Sequence, residues 1–295
     1  MKDYIELFKA YLTDFKKASN NTVESYMRDI SQFSSYCAES GISNLAKADV
    51  EVLNSYAQHL STIGKSDSTV SRITASLRCY YRFLVKEGIA SQNPTDKLTV
   101  KKVEKKLPGI LTSNEIILLI SKTEGTDFKS IRDKAMLELL YATGIKVSEL
   151  IELSISDINL SIGILHLKKG DKERIIPIYP DAVRSLSNYV VNVRPAIVID
   201  DEEELLFTNM NGHSLSRQGF WKIVKHYASL AGITKEITPH TLRHSFAAHL
   251  LENGAKLSDI KEMLGHSDIS ATQVYAQIIK SKYTQNYAKF HPLAK

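Results

Sequence analysis

Between Asn93 and Ile110 the chain reads NPTDKLTVKKVEKKLPGI, a segment with two prolines, one glycine, five lysines and no apolar period. Such a stretch presents no face to a core, and each proline interrupts regular backbone hydrogen bonding. It divides the 295 residues into an N-terminal domain over 1–92, a linker over 93–110 and a second domain over 111–295. With 43% hydrophobic residues, both pieces are long enough to bury a core. The connector lets two domains move relative to each other, and its lysines either sit in solvent or touch phosphate.

The first domain reads as helices opened by small polar residues. Asn20, Asn21 and Thr22 precede VESYMRDISQFSSYCAES, while Ser66 and Ser68 precede TVSRITASLRCYYRFLVKEG. Gly41, Gly64 and Gly88 close successive segments. In the last helix Val70, Ile73, Leu77 and Leu84 repeat at helical spacing and are expected to face the core. Arg72, Ser76 and neighbouring hydroxyls fall elsewhere, on a face that suits either solvent or a DNA backbone. Cys37 and Cys79 are the only cysteines, both in helical apolar patterns, and are expected as free thiols.

The formal charge is +5. Residues 1–110 hold 16 Lys+Arg against 12 Asp+Glu, and the remainder 22 against 21, so the basic excess lies mostly in the first third. A polyanionic partner is compatible with this balance without being required by it. MKDYIELFKAYL has charges among its apolar residues, so neither a signal peptide nor a membrane span is expected, and the expected location is the cytoplasm.

From Leu111 the pattern changes. Helices are expected at SNEIILLISKT and RDKAMLELLYATG, followed by a hairpin in GILHLKKGDKERIIPI with its turn at Gly170-Asp171. LLFTN offers a third strand, and Ser216 caps SRQGFWKIVKHYASLAG. The fold class expected is mainly α with a small β-sheet.

The stretch TPHTLRHSFAAHLLENGAKLSDIKEMLGHSDISATQVY, Thr238 to Tyr275, carries the chemistry. Pro239 places His240 at a helix entrance, with Arg243 one turn later on the same face. Phe246, Ala247 and Leu250 form a buried stripe. Gly254 breaks the helix, Leu257, Ile260 and Leu264 form a second stripe, and Gly265 closes it, so His266 emerges at a helix end. Alone, each of these residues has an ordinary structural use.

Together, His240-x-x-Arg243, Leu264-Gly265-His266 and Tyr275 nine residues on resemble the signature of the tyrosine recombinase and integrase family. The resemblance extends through RDKAMLELLYATGIKVSELIELSISDI, KKGDKERIIPI and the N-terminal helices, and so covers essentially the whole chain. It is similar to the Xer-type members, which lack the arm-site-binding domain of some phage integrases. The resemblance implies a helical core-binding domain and a mixed α/β catalytic domain closing as a C-shaped clamp on double-stranded DNA.

It also implies roles. A phosphodiester repels nucleophiles and its leaving sugar oxygen departs poorly until protonated. Arg243 would fork onto non-bridging oxygens and stabilise growing charge. Lys169 matches the hairpin lysine that protonates the 5′ oxygen, with Lys168 and Lys172 as rivals or phosphate contacts. His240 would exchange the tyrosine proton or hydrogen-bond the phosphate, and His266 would donate a further hydrogen bond. Tyr275 would be the nucleophile. Its phosphotyrosine ester conserves the bond energy, so another strand's 5′ hydroxyl can reseal it without ATP, metal or other cofactor. Arg72 and Arg217 are further DNA-contact candidates.

In ATGIKVSEL the family normally has Arg where this chain has Lys146. Lys cannot make the bidentate fork, so cleavage is expected to slow by about 100 to 1,000 fold. A weakened enzyme, compensation by another cation and an engineered change all fit. Gln277 replaces a frequent His with small effect, and Glu149 fits an orienting or capping role better than a reactive one.

The implied function is site-specific strand exchange, in chromosome dimer resolution, with its links to chromosome partition and the cell cycle, or in mobile-element integration and excision. A homo- or hetero-tetramer would form on DNA through the C-terminal helix bearing Tyr283, Tyr287 and Phe290. A DNA translocase is a candidate activator. The alternatives are a catalytically weakened architectural or regulatory DNA binder and a type IB topoisomerase.

Overall fold

The computed structural model describes residues 2–98, 108–169, 172–198, 203–238, 240–266, 268, 269 and 271–277, with side chains throughout except at 2, 3, 169 and 172. It separates into two compact units, Met1–Lys105 and Lys106–Lys295.

The first unit is helical: α1 Lys2–Ala10, α2 Asn20–Glu39, α3 Val50–Thr62 and α4 Asp67–Lys86. Ser66 caps α4 through the Thr69 amide, whereas α2 starts earlier than Thr22, because Ser19 accepts from the Thr22 amide. Val70, Ile73, Leu77 and Leu84 are buried as their period requires, against Phe8, Phe33 and Tyr56. Ser76 departs from the expected polar face. It is fully buried and donates to Asp29 Oδ2 at 2.5 Å, and Arg72 is ion-paired to that same buried carboxylate. A polar residue in an amphipathic helix can face inward when a partner waits there, which the helical period cannot reveal. Cys37 and Cys79 are free thiols.

The second unit holds α5 Ser113–Ser121, α6 Phe128–Thr143, α7 Val147–Glu152, α8 Pro180–Asn188, α9 Arg194–Ile197, α10 Arg217–Leu230, α11 Thr241–Glu252 and α12 Leu257–Leu264. Strands β1 Ile158–Asn159, β2 Ile164–Lys169 and β3 Lys172–Pro177 form an antiparallel sheet in sequence order, with Leu165 opposite Ile176 on its buried face. The LLFTN run supplies only two isolated bridges, Ser154 with Leu205 and Thr208 with Ser214. The third strand is β1, delivered to the edge of β2 by the single turn Ile155–Asp157. α6 is buried around most of its girth, and its inward polar groups are paired: Arg132 with Asp133, and Asp133 with the Tyr227 hydroxyl at 3.2 Å. α6 is the axis on which α5, α8 and α11 pack.

No helix among the described residues is long and apolar enough to cross a membrane.

Candidate active site

Gly144 ends α6 with φ 60°, a left-handed conformation, and a Cβ there would lie 2.3 Å from the Phe246 ring. The chain turns at once, so exposed Lys146 becomes the N-cap of α7, with its backbone N–H donating to Glu149 Oε2 at 2.8 Å. Two carbonyls at helix C-termini, Gly144 after α6 and Leu264 at the end of α12, then converge on one side chain. Arg243, only 3% exposed, donates to them from Nη1 at 2.6 Å and Nη2 at 2.7 Å. Helix C-termini carry partial negative charge, which stabilises a guanidinium buried against them.

Arg243 Nη2 also lies 2.9 Å from His266 Nε2, and His266 Nδ1 lies 3.0 Å from Thr272 Oγ1. Nε2 facing an Arg donor must accept, so the tautomer assigned from these partners carries its proton on Nδ1 and donates to Thr272. Burial first, then the charges of Arg243, Lys146 and Arg174, lower the His266 pKa to about 4.

His240 stands at the N-cap of α11 and Arg243 inside its first turn, as the sequence predicts. Desolvation first, then the charges of Arg243 and Lys146, lower the His240 pKa. Tyr275, in the helical residues 271–277, packs against Phe246, Ala247, Ile260 and Leu264 and is 1% exposed. Its hydroxyl lies 2.9 Å from Nδ1 of His244, one turn beyond His240 on α11. Burial raises the phenol's pKa, while the Arg243 charge opposes that rise.

Arg174 on β3 completes the cluster. Nη2 donates to Glu149 Oε2 at 2.7 Å, and Nη1 lies over Gly265, whose φ is 64° and where a Cβ would fall 1.9 Å from that nitrogen. Lys146, Lys168, Arg174, Lys261 and His266 line one cleft of about 810 Å³ together with Glu149, Glu152, Asp157, Glu173 and Glu262, so its wall carries charges of both signs.

The expected residues Lys146, His240, Arg243, His266 and Tyr275 therefore lie within one unit and interact electrostatically or directly. Lys168 is exposed on the cleft wall, and Arg217 is exposed at the first position of α10. Arg72 belongs to the other unit, where its guanidinium pairs with Asp29. β2 and β3 pair Lys169 with Lys172 at the hairpin end, but the side chains of both, and the turn residues 170 and 171, lie outside the described residues. So do Tyr283, Tyr287 and Phe290.

Two site residues escaped the sequence reading. Arg174 shares the strand parity of buried Ile176, so a charge on an inward position was its signal. His244 follows Arg243 directly in HTLRH, but helical geometry turns it toward the Tyr275 helix rather than the guanidinium. Among the described residues no group of three or more His, Cys, Asp or Glu could hold a metal ion.

Residues 110–282 match the phage integrase family, and residues 5–88 match the phage integrase N-terminal SAM-like domain. The chain is 42% identical over 295 residues to the tyrosine recombinase XerD of Staphylococcus epidermidis, covering 100% of both proteins. It is 45% identical over 278 residues to that of Halalkalibacterium halodurans, covering 94% of this chain and 93% of the relative. Among solved structures it is similar to XerH site-specific recombinase bound to palindromic difH substrate in a post-cleavage complex. The TM-score is 0.75 at 22% identity, over 92% of this chain and 81% of that one.

Proposed function

Because this chain belongs to the phage integrase family, whose relatives here are tyrosine recombinases, we propose the following division of labour among its residues. The chain is a tyrosine-type site-specific recombinase that binds double-stranded DNA, and the reading as a merely architectural binder is not favoured by its relatives.

Arg243 seats the scissile phosphate, and Tyr275 attacks phosphorus to leave a 3′-phosphotyrosine and a free 5′ hydroxyl. Lys146 adds a point charge to the seat, Lys169 protonates the departing 5′ oxygen, and His240 hydrogen-bonds a non-bridging oxygen. His266 turns its ring from Arg243 toward the phosphate once the substrate displaces that contact. Arg72, Lys168, Lys172 and Arg217 serve DNA contact, so affinity falls steeply with salt. Residues 1–92 act as the core-binding domain, 93–110 as linker and 111–295 as the catalytic domain.

Further out, four protomers, alike or of two kinds, join two sites through the C-terminal helix, in the cytoplasm. Chromosome dimer resolution or mobile-element exchange is the process served, with a DNA translocase as candidate activator.

The observation that carries this reading is the buried Arg243 guanidinium, held by the ends of α6 and α12 beside His266, within the unit that also carries Tyr275. Its test is a nicked suicide duplex selected from a library for wild-type trapping. Wild type is expected to form a denaturant-resistant adduct and Tyr275→Phe none. An adduct that persists in Tyr275→Phe overturns the assignment.

A further inference from the structure

Resting on Tyr275 as nucleophile, we propose that His244, rather than His240, accepts the tyrosine proton during cleavage. The Tyr275 Oη–H bond breaks and the Oη–P bond forms, with the proton passing to His244 Nδ1. The bond from phosphorus to the 5′ oxygen breaks, and that oxygen takes its proton from the leaving-group acid, proposed above as Lys169. Religation runs the transfers in reverse.

Geometry separates the two histidines. His240 and His244 lie four residues apart on α11, so they share a face, with ring centroids 6.0 Å apart. His240 sits at the exposed helix entrance, and His244 one turn deeper. The phenol of Tyr275 lies 2.9 Å from His244 Nδ1, within reach for direct proton transfer, and the two ring centroids are 5.6 Å apart. His240 is left to the phosphate. Because His244 follows Arg243 immediately, the helix that fixes the phosphate seat also fixes the acceptor.

The protonation state agrees. Burial first, then the charges of His240, Arg243 and His266, lower the His244 pKa to about 4. Near neutrality the ring is therefore neutral, and in the tautomer that carries its proton on Nε2 the phenol donates to the Nδ1 lone pair. A phosphate seated on Arg243 brings negative charge next to that cluster, which offsets the cations and makes His244 a stronger base when DNA is bound.

The test compares wild type, His244→Asn and His240→Asn on the selected nicked duplex between pH 6 and 9. Asn places an acceptor oxygen near the Nδ1 position but takes no proton. We expect His244→Asn to form adduct at least about 100-fold more slowly near pH 7, as general-base losses run, with unchanged DNA affinity in a gel shift. Its rate should climb with pH more steeply than that of wild type, since solvent base must then take the proton. His240→Asn should keep the wild-type slope. A His244→Asn enzyme that cleaves as fast as wild type, or that loses the same factor at every pH, overturns the proposal. If His244→Asn melts early, His244→Gln carries the same comparison. Absence of any wild-type adduct, or an adduct in Tyr275→Phe, would instead count against the nucleophile itself.

Discussion

Arg174 on β3 and Glu149 on α7 form an ion pair at 2.7 Å whose side chains are only 14% and 12% exposed. The same Glu149 oxygen accepts the Lys146 backbone N–H at 2.8 Å, while the other end of the guanidinium lies over Gly265, next to His266. One strand arginine thus ties together the start of α7 and the end of α12, the two segments that flank the Arg243 guanidinium. A change at Arg174 acts on geometry before it acts on charge.

Arg174→Gln leaves the Glu149 carboxylate with its backbone partner but without its cation. Breaking a mostly buried pair costs on the order of 3 kcal/mol. Urea unfolding followed by the fluorescence of Trp221, on α10 of the same unit, should register that loss. The adduct rate should fall at least tenfold while DNA affinity changes little. Unchanged cleavage would show that the pair does not position the site.

Gly265→Ala meets two obstacles, a left-handed backbone that costs a Cβ about 1 to 2 kcal/mol and the Arg174 guanidinium in the space the Cβ needs. The variant should melt earlier and cleave more slowly than Gly254→Ala. Gly254 also has a positive φ, 91°, but has nothing within 4 Å of the added carbon. Equal behaviour of the two variants would remove Arg174 from the explanation.

Lys146→Arg should speed adduct formation by about 100 to 1,000 fold if the missing fork is what limits the wild type. Single-turnover trapping on the nicked duplex measures it. No acceleration would mean that another cation already fills the place, and Arg174 in the same cleft is the first to test by substitution in the Lys146→Arg background.

Asp29→Ala removes the acceptor that Ser76 and Arg72 share. Asp29 is 1% exposed, and its loss leaves the buried Ser76 hydroxyl only the longer bond to the Arg72 carbonyl at 3.2 Å and leaves Arg72 without its carboxylate, at a cost of about 1 kcal/mol. Amide hydrogen exchange should accelerate in α2 and α4 and stay unchanged in α6, because the loss is local to the first unit. Equal protection in α2 would argue that the pair contributes nothing to packing.

His244 and His266 have folded pKa values near 4, below the ordinary 6.5. Between those values the unfolded chain binds more protons, so stability of the catalytic unit rises with pH from about 4 to about 6.5 and levels off above. The midpoint of Trp221-monitored unfolding across this window checks the sign. Replacing both histidines with Asn should flatten the slope, and a slope that survives would assign it to other groups.

Much of this molecule was legible in the chain as written. Caps, breaker glycines and the 3.6-residue period are local signals, so the helices around Ser66, His240 and Gly265 fall close to where those residues place them. The order and spacing of His240, Arg243, His266 and Tyr275 pointed to the tyrosine recombinases, the family to which the chain's relatives belong. Packing decided the rest. Ser76 and Arg72 meet Asp29 across 47 and 43 residues, Arg243 reaches Gly144 across 99, and His244 meets Tyr275 across 31. A period tells which residues share a face, but not which face another element covers or which polar groups await it there. That is why Arg174 and His244, ordinary in the sequence, become members of the site only when β3, α11 and α12 close around it.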